Sequence, residues 1–130
     1  MGVSGGASKF RVELAARNKI SATPDTEGNV KGPSSINEAS PAILGTTLFW
    51  TPALLYPNER FELSTDAGGY LCNYLYFRCL EALQDRRVGF LHVPKLEKMA
   101  FGTQLDFVQF VLSEIESPQS AMFDESLRSQ

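Results

Sequence analysis

Four alternating segments in the second half of the chain restrict its fold more than any other feature. RFELST (60–65) and RVGFLHVP (87–94) have the character of strands, and Val88–Val93 shows the continuous apolar run of a strand buried on both faces. Two amphipathic stretches, 73–85 and 104–116, have apolar residues at helical spacing. This β-α-β-α order predicts an α/β protein with a parallel sheet and a right-handed crossover.

The remainder of the chain predicts shorter elements. KFRVELAA (9–16) alternates between polar and apolar residues, which predicts a strand with Glu13 near its end. AILGTTLF (42–49) predicts a short strand, and the turn-forming residues of TPDTEGNVKGPSS (23–35) predict a long loop. Thr103 is expected to cap the last helix.

Composition limits the classes of function. The 130 residues suit one domain, 1–117, followed by a polar tail, 118–130. The net charge is −3 and the basic residues are scattered, which argues against nucleic acid as a partner. The longest apolar region, PAILGTTLFWTPALLY, is too interrupted to span a bilayer, and no secretory signal precedes it. With two cysteines at no scaffold spacing, we expect a cytoplasmic protein without a membrane partner.

Cys72 and His92 are the side chains best placed to carry chemistry. Cys72 immediately precedes the helix at 73–85, and His92 ends the following strand. Ligands bind at the carboxyl ends of parallel strands, so these two residues are expected to meet there. A free thiol has a pKa of about 8.5, and both a helix start and a nearby histidine favour its reactive thiolate form. Backbone N–H groups at Cys72 and Asn73 would bind an oxyanion.

A purely structural interpretation of the same residues stays open. Cysteine is among the most buried residue types, and Cys79, in mid-helix on the apolar stripe, fits that role. The two cysteines are about 10.5 Å apart along one helix, too far for a disulfide. A lone histidine is often structural, and one histidine with two separated cysteines does not form a zinc site.

Three segments resemble one enzyme family. STDAGGYLCNYLYFRCL, followed by GFLHVPKL, resembles the nucleophile and histidine segments of pyroglutamyl-peptidase I, also called pyrrolidone-carboxylate peptidase. GVSGGASKFRVELAARNK is similar to the family segment with the catalytic glutamate, and PDTEGN to the turn after it. The resemblance implies a cofactor-free cysteine peptidase that removes N-terminal pyroglutamate, built as a three-layer α/β/α sandwich.

The resemblance also implies roles for individual residues. Cys72 matches the nucleophile, His92 the general base and acid, and Glu13 the residue that orients the histidine. Tyr70 and Leu71 match positions that line the pocket for the pyrrolidone ring, and no metal is expected.

The sequence also departs from the family pattern. Gly69 and Ala22 stand where animal and bacterial relatives, respectively, carry arginine. The chain starts just before the glutamate segment, so a front loop of Gly-Phe-x-Pro-Phe type and the strands and helix around it are expected to be missing.

Three functions remain open from the sequence. The first is the peptidase, with weak activity because the pocket would lack one wall. The second is a truncated, catalytically weak or inactive remnant of that enzyme that acts, if at all, as an interaction module through an open sheet edge. The third is a general acyl hydrolase or amidase with the same three residues. The expected partner is a peptide substrate with N-terminal pyroglutamate. Assembly into a homo-oligomer stays open.

Overall fold

The computed structural model describes residues 1–24, 26–49 and 51–116, so the polar tail predicted for 118–130 lies outside the described residues. Within these ranges the strands are β1 (Gly2–Ser4), β2 (Phe10–Glu13), β3 (Ala15–Arg17), β4 (Thr23–Pro24), β5 (Val30–Lys31), β6 (Ile43–Gly45), β7 (Phe61–Ser64) and β8 (Phe90–Pro94). The helices are α1 (Pro52–Leu55), α2 (Leu71–Ala82) and α3 (Phe101–Ile115).

A four-stranded mixed sheet forms the centre, with the strand order β1-β8-β2-β7. Strand β2 runs parallel to β7 and antiparallel to β8, while β1 runs parallel to β8. The predicted parallel pairing of the two strands around α2 is therefore wrong: β7 and β8 run in opposite directions, with β2 between them. The apolar run of β8 does reflect burial on both faces, but a central strand gains that burial in either direction.

The two faces of the sheet carry separate apolar cores. Phe10 and Val12 of β2, together with Leu91 of β8, face α1 and α3 and form one core with Phe107 and Val111. On the opposite face, the second core joins α2 to the sheet through these residues: Ala16, Ala67, Tyr76, Phe77, Leu80 and Phe90. Because helices cover both faces, the α/β sandwich class predicted from the sequence is confirmed.

Element boundaries differ from the prediction where the backbone changes partner. The strand predicted at 9–16 divides at Leu14, where the chain leaves the main sheet and β3 pairs with β6. The strand predicted at 42–49 is therefore limited to β6, residues 43–45. The loop predicted at 23–35 contains the short hairpin β4–β5.

Helix starts also moved. Helix α2 begins at Leu71, two residues before the predicted start, so Cys72 lies within its first turn. Helix α3 begins at Phe101 with Ala100 at the cap position, and the predicted cap, Thr103, lies inside the helix. Strand β1 was not predicted, because GVS is too short to show alternation. None of the described helices has the length and apolarity needed to cross a membrane.

The ring of Phe107 is expected to contribute strongly to stability. It is 1% exposed and stacks on Phe10 with centroids 4.1 Å apart. Replacing Phe107 with alanine should lower the free energy of unfolding by about 3–5 kcal/mol, because the change removes a buried ring and leaves a cavity. Urea denaturation followed by circular dichroism measures the loss.

Phe101 of the same helix is the matched control because it is 67% exposed. Phe101→Ala should change the free energy of unfolding by about 0.5 kcal/mol or less. Equal losses for the two variants would contradict the assignment of Phe107 to the core.

Candidate active site

Glu13 and His92 form a buried pair at the centre of the sheet. In the antiparallel register of β2 and β8, Glu13 is opposite Phe90 and Arg11 is opposite His92, so Glu13 and His92 are diagonal neighbours on one face. His92 Nδ1 lies 2.7 Å from Glu13 Oε1. Glu13 is fully buried and His92 is 5% exposed. An ionised Glu13 carboxylate only accepts hydrogen bonds, so Nδ1 is then the donor of this contact, and the tautomer with its proton on Nδ1 has Nε2 as an acceptor.

Tyr76 supports the strand that carries the glutamate. Its hydroxyl donates a 2.8 Å hydrogen bond to the backbone carbonyl of Glu13, across the interface between α2 and β2. Burial raises the pKa of Tyr76 far above that of a free tyrosine, and the neighbouring Glu13 charge adds to the shift. Tyr76 therefore stays neutral and connects α2 to the glutamate strand.

Cys72 lies in the first turn of α2, after Tyr70 at the cap position. The first N–H groups of a helix lack intrahelical partners and favour negative charge nearby. The thiol is free and half-buried beside the second core, close to Gly2 and Phe90. Within the described residues, its sulfur makes no hydrogen bond to His92. The structure thus joins Glu13 to His92 directly and places Cys72 beside the strand pair β1–β8.

Asn73 fixes the start of α2 to β3. Its side-chain oxygen accepts a 2.9 Å hydrogen bond from the backbone N–H of Arg17, and its amide nitrogen donates a 2.8 Å bond to the Arg17 carbonyl. The side chain thus pairs with the strand as another strand would, and it is fully buried. From the sequence, only the backbone N–H of Asn73 was expected to take part in the site. The sequence held one indication of this role: Asn73 is polar, yet it lies near the helix start in line with the apolar stripe.

The residues predicted to line the substrate pocket lie at the surface. Tyr70 is 63% exposed and Leu71 is 83% exposed. Gly69 packs against Ser21, whose backbone N–H donates a 3.0 Å hydrogen bond to the Gly69 carbonyl. The site roles predicted for Glu13, Cys72, His92, Tyr70 and Leu71 stay predictions, and the geometry joins two of them by a direct contact.

A separate cleft of about 750 Å³ lies away from these residues, between the second half of α2 and the loop before β6. Glu81 accepts hydrogen bonds there from Ser40 at 2.6 Å and Asn37 at 2.9 Å. These two bonds lower the pKa of Glu81, with a further contribution from Arg78. Glu81 is thus engaged by three other side chains of the cleft, Asn37, Ser40 and Arg78.

Comparisons with known proteins point to one family, although no family model matches the chain. A pyrrolidone-carboxylate peptidase of Halalkalibacterium halodurans is 29% identical over 108 residues, covering 77% of this chain and 54% of that protein. One from Gloeobacter violaceus is 27% identical and covers 94% of this chain and 68% of that protein. One from Brevibacillus brevis is 31% identical and covers 77% of this chain and 50% of that protein.

The chain is a homologue of the pyrrolidone-carboxylate peptidases. The crystal structure of the pyrrolidone carboxyl peptidase from Thermus thermophilus matches with a TM-score of 0.72 and 26% identity, over 87% of this chain and 66% of that chain. A mutant pyrrolidone carboxyl peptidase from P. furiosus matches with a TM-score of 0.71 and 25% identity, over 88% of this chain and 65% of that one. The resemblance inferred from the sequence is confirmed. The chain spans about half the length of the H. halodurans and B. brevis peptidases.

Loss of the Asn73 amide should destabilise this homologue. Asn73→Ala removes both partners of the Arg17 peptide groups, so the free energy of unfolding should fall by about 2–3 kcal/mol. Both hydrogen bonds are only partly buried, which places the expected loss below the sum for two fully buried groups. Urea denaturation measures the change.

Asn58→Ala is the matched control for the asparagine change. The Asn58 side chain accepts one exposed 2.8 Å hydrogen bond from the Arg60 backbone N–H. It should cost about 1 kcal/mol or less, because water replaces the lost partner. A loss at Asn73 no larger than that at Asn58 would contradict the anchoring role.

The raised pKa of Tyr76 predicts a pH-dependent stability. The folded state holds the phenol proton more tightly than the unfolded state, so this contribution is complete below pH 10 and declines as the pH rises above 10. Tyr76→Phe should lower the free energy of unfolding by about 1 kcal/mol at pH 7, because the hydrogen bond to the Glu13 carbonyl is missing. Above pH 10 the difference between wild type and variant should narrow, because phenylalanine has no proton to release.

Denaturation in urea at pH 7 and pH 10.5 tests the pH dependence. Tyr74→Phe is the control, since Tyr74 is 38% exposed. Its difference from wild type should be nearly the same at both pH values. If the difference in free energy of unfolding between Tyr76→Phe and wild type were larger at pH 10.5 than at pH 7, the predicted direction of the pH effect would be wrong.

Proposed function

We propose that the chain carries the catalytic centre of a cysteine peptidase that removes N-terminal pyroglutamate from peptides, with Cys72 as nucleophile, His92 as base and acid, and Glu13 as the orienting residue. The observation that carries this proposal is the buried 2.7 Å contact between His92 Nδ1 and Glu13 Oε1. This contact supports the tautomer in which Nε2 can accept a proton from a thiol. The family of the homologues supplies the substrate class.

The reaction would proceed in two acyl-transfer steps. His92 Nε2 takes the thiol proton, and the Cys72 sulfur attacks the carbonyl carbon that joins pyroglutamate to the next residue. The carbonyl oxygen becomes an oxyanion, which backbone N–H groups at the start of α2 stabilise. The intermediate collapses as the C–N bond breaks, and the proton on Nε2 passes to the leaving amine. A thioester between Cys72 and the pyroglutamyl group remains.

Water then completes the cycle. His92 Nε2 removes a proton from a water molecule, and its oxygen attacks the thioester carbonyl. When the C–S bond breaks, the sulfur regains the proton from His92, and free pyroglutamate leaves. Glu13 stays ionised throughout and stabilises the imidazolium that forms in each step. All transfers balance without a cofactor or metal.

The structure supports the proposed catalytic residues better than it supports a substrate pocket. Tyr70 and Leu71 offer an aromatic and an aliphatic surface that suit a flat lactam ring, but both are largely exposed. A ring held on one side is poorly oriented, and orientation can supply roughly 7–11 kcal/mol of a barrier. We therefore expect slow turnover of a pyroglutamyl-coumarin substrate. Covalent labelling of the thiol is the more sensitive test, because it needs only one reaction per protein molecule.

Labelling with pyroglutamyl chloromethyl ketone tests both reactivity and binding. The reagent should alkylate Cys72 and leave Cys79 unmodified, as mapped by mass spectrometry of peptides. A matched cyclopentyl-carbonyl chloromethyl ketone, which lacks the lactam, should react at least about tenfold more slowly, the factor given by roughly 1.4 kcal/mol of binding. His92→Gln and Glu13→Gln should slow labelling by about 10²–10⁴ if they remove the base or its orientation.

Cys79→Ser is the control for the thiol assignment, and it should label like wild type. Preferential modification of Cys79 would contradict the assignment of the nucleophile. Equal rates with the two reagents would contradict pyroglutamate recognition. That result would favour the general acyl hydrolase if labelling still depended on His92, and the inactive remnant if it did not.

A further inference from the structure

The thiol of Cys72 lies against the backbone of β1 at a residue without a side chain. Gly2 pairs in parallel register with His92. A Cβ atom built on Gly2 would lie 2.6 Å from Cys72 Sγ and 3.0 Å from the ring carbon Cζ of Phe90. Non-bonded heavy atoms of this size normally approach to about 3.5–4.0 Å, so the sulfur occupies space that any other residue would fill.

We propose that Gly2 is a positioning residue: its missing side chain forms the slot that places the Cys72 thiol beside the β1–β8 pair and hence next to His92. The catalytic role of this slot rests on the proposed function. The slot itself is a steric feature, and it can be tested independently of catalysis.

The backbone at Gly2 does not itself require glycine. The glycines with positive φ in the described residues are Gly28, Gly32 and Gly68, so Gly2 has a backbone conformation open to alanine. The reason for glycine at this position is therefore the space left by its missing side chain, because no conformational reason for glycine applies. This separates Gly2 from Gly68, whose φ of 94° favours glycine whatever its neighbours.

The sulfur is the neighbour that would move if a methyl group were added. Phe90 is 5% exposed, and its ring packs at 5.6 Å from Tyr76 and 5.2 Å, edge-on, from His92. The Gly2 backbone is held by its pairing with β8. The thiol needs only a rotation about χ1 to the next staggered position, a displacement on the order of 3 Å. A shift of even about 1 Å at a reacting group can cost 10²-fold in rate.

The first test measures labelling kinetics of Gly2→Ala in a Cys79→Ser background, where Cys72 is the single thiol. Rates are measured with pyroglutamyl chloromethyl ketone and with iodoacetamide, and their ratio corrects for changed accessibility. Gly2→Ala should lower this ratio at least about tenfold, because only the bound reagent requires attack geometry. The fall should appear in the limiting rate of inactivation, while the concentration for half-maximal rate stays within about twofold.

Gly6→Ala is the matched control, because a Cβ at Gly6 meets no atom within 4 Å. Its ratio should equal that of wild type. An unchanged ratio in Gly2→Ala, or an equal fall in both glycine variants, would overturn the positioning role.

A double-mutant cycle keeps the proposal testable if Gly2→Ala folds poorly or if the pyroglutamyl reagent does not label wild type. The loss of melting temperature caused by Gly2→Ala is measured with Cys72 present and again with Cys72→Ala. The loss should be clearly smaller when the sulfur is gone, because the added methyl group then meets no sulfur. Equal losses would show that the slot does not exist. Failure of labelling in wild type would instead count against the proposed function.

Discussion

The buried contact between Glu13 and His92 is the interaction on which the rest of the structure depends. A fully buried carboxylate is costly unless it is paired, and the pairing here uses the antiparallel register of β2 with β8. A slip of one residue would turn Glu13 away from His92 and toward the apolar core built around Phe10 and Phe107. The register that satisfies the carboxylate is therefore also the register that presents His92 to α2.

Helix α2 is attached by side-chain hydrogen bonds at two points, one on β3 and one on β2. Asn73 pairs with the backbone of Arg17, and Tyr76 donates to the carbonyl of Glu13. Apolar packing alone would allow the helix to slide, whereas these hydrogen bonds fix its rotation and its height above the sheet. Cys72, one residue before Asn73, takes its position from that attachment.

The sequence predicted the elements better than their arrangement. Periodicity predicted helix α2, although with a start two residues too late, and the strands around Phe61 and Phe90, because burial on one face leaves a local pattern. It could not show that β2 lies between β7 and β8, since pairing partners and strand direction are not local properties. The expected location of the site, at the carboxyl ends of two parallel strands, was wrong for that reason, while the joint role of Cys72 and His92 stays a prediction. The closeness of Glu13 and His92, 79 residues apart, was available only through family resemblance.

The central claim is that Glu13 holds His92 with its proton on Nδ1, and the chain's single histidine allows a direct measurement. Long-range ¹H–¹⁵N correlation spectra of histidine-labelled protein distinguish the two neutral tautomers and the imidazolium. In wild type, Nδ1 should be protonated with a downfield proton resonance, and Glu13→Gln should shift or remove that resonance. An Nδ1 without a proton in wild type, or a spectrum unchanged by Glu13→Gln, would contradict the account.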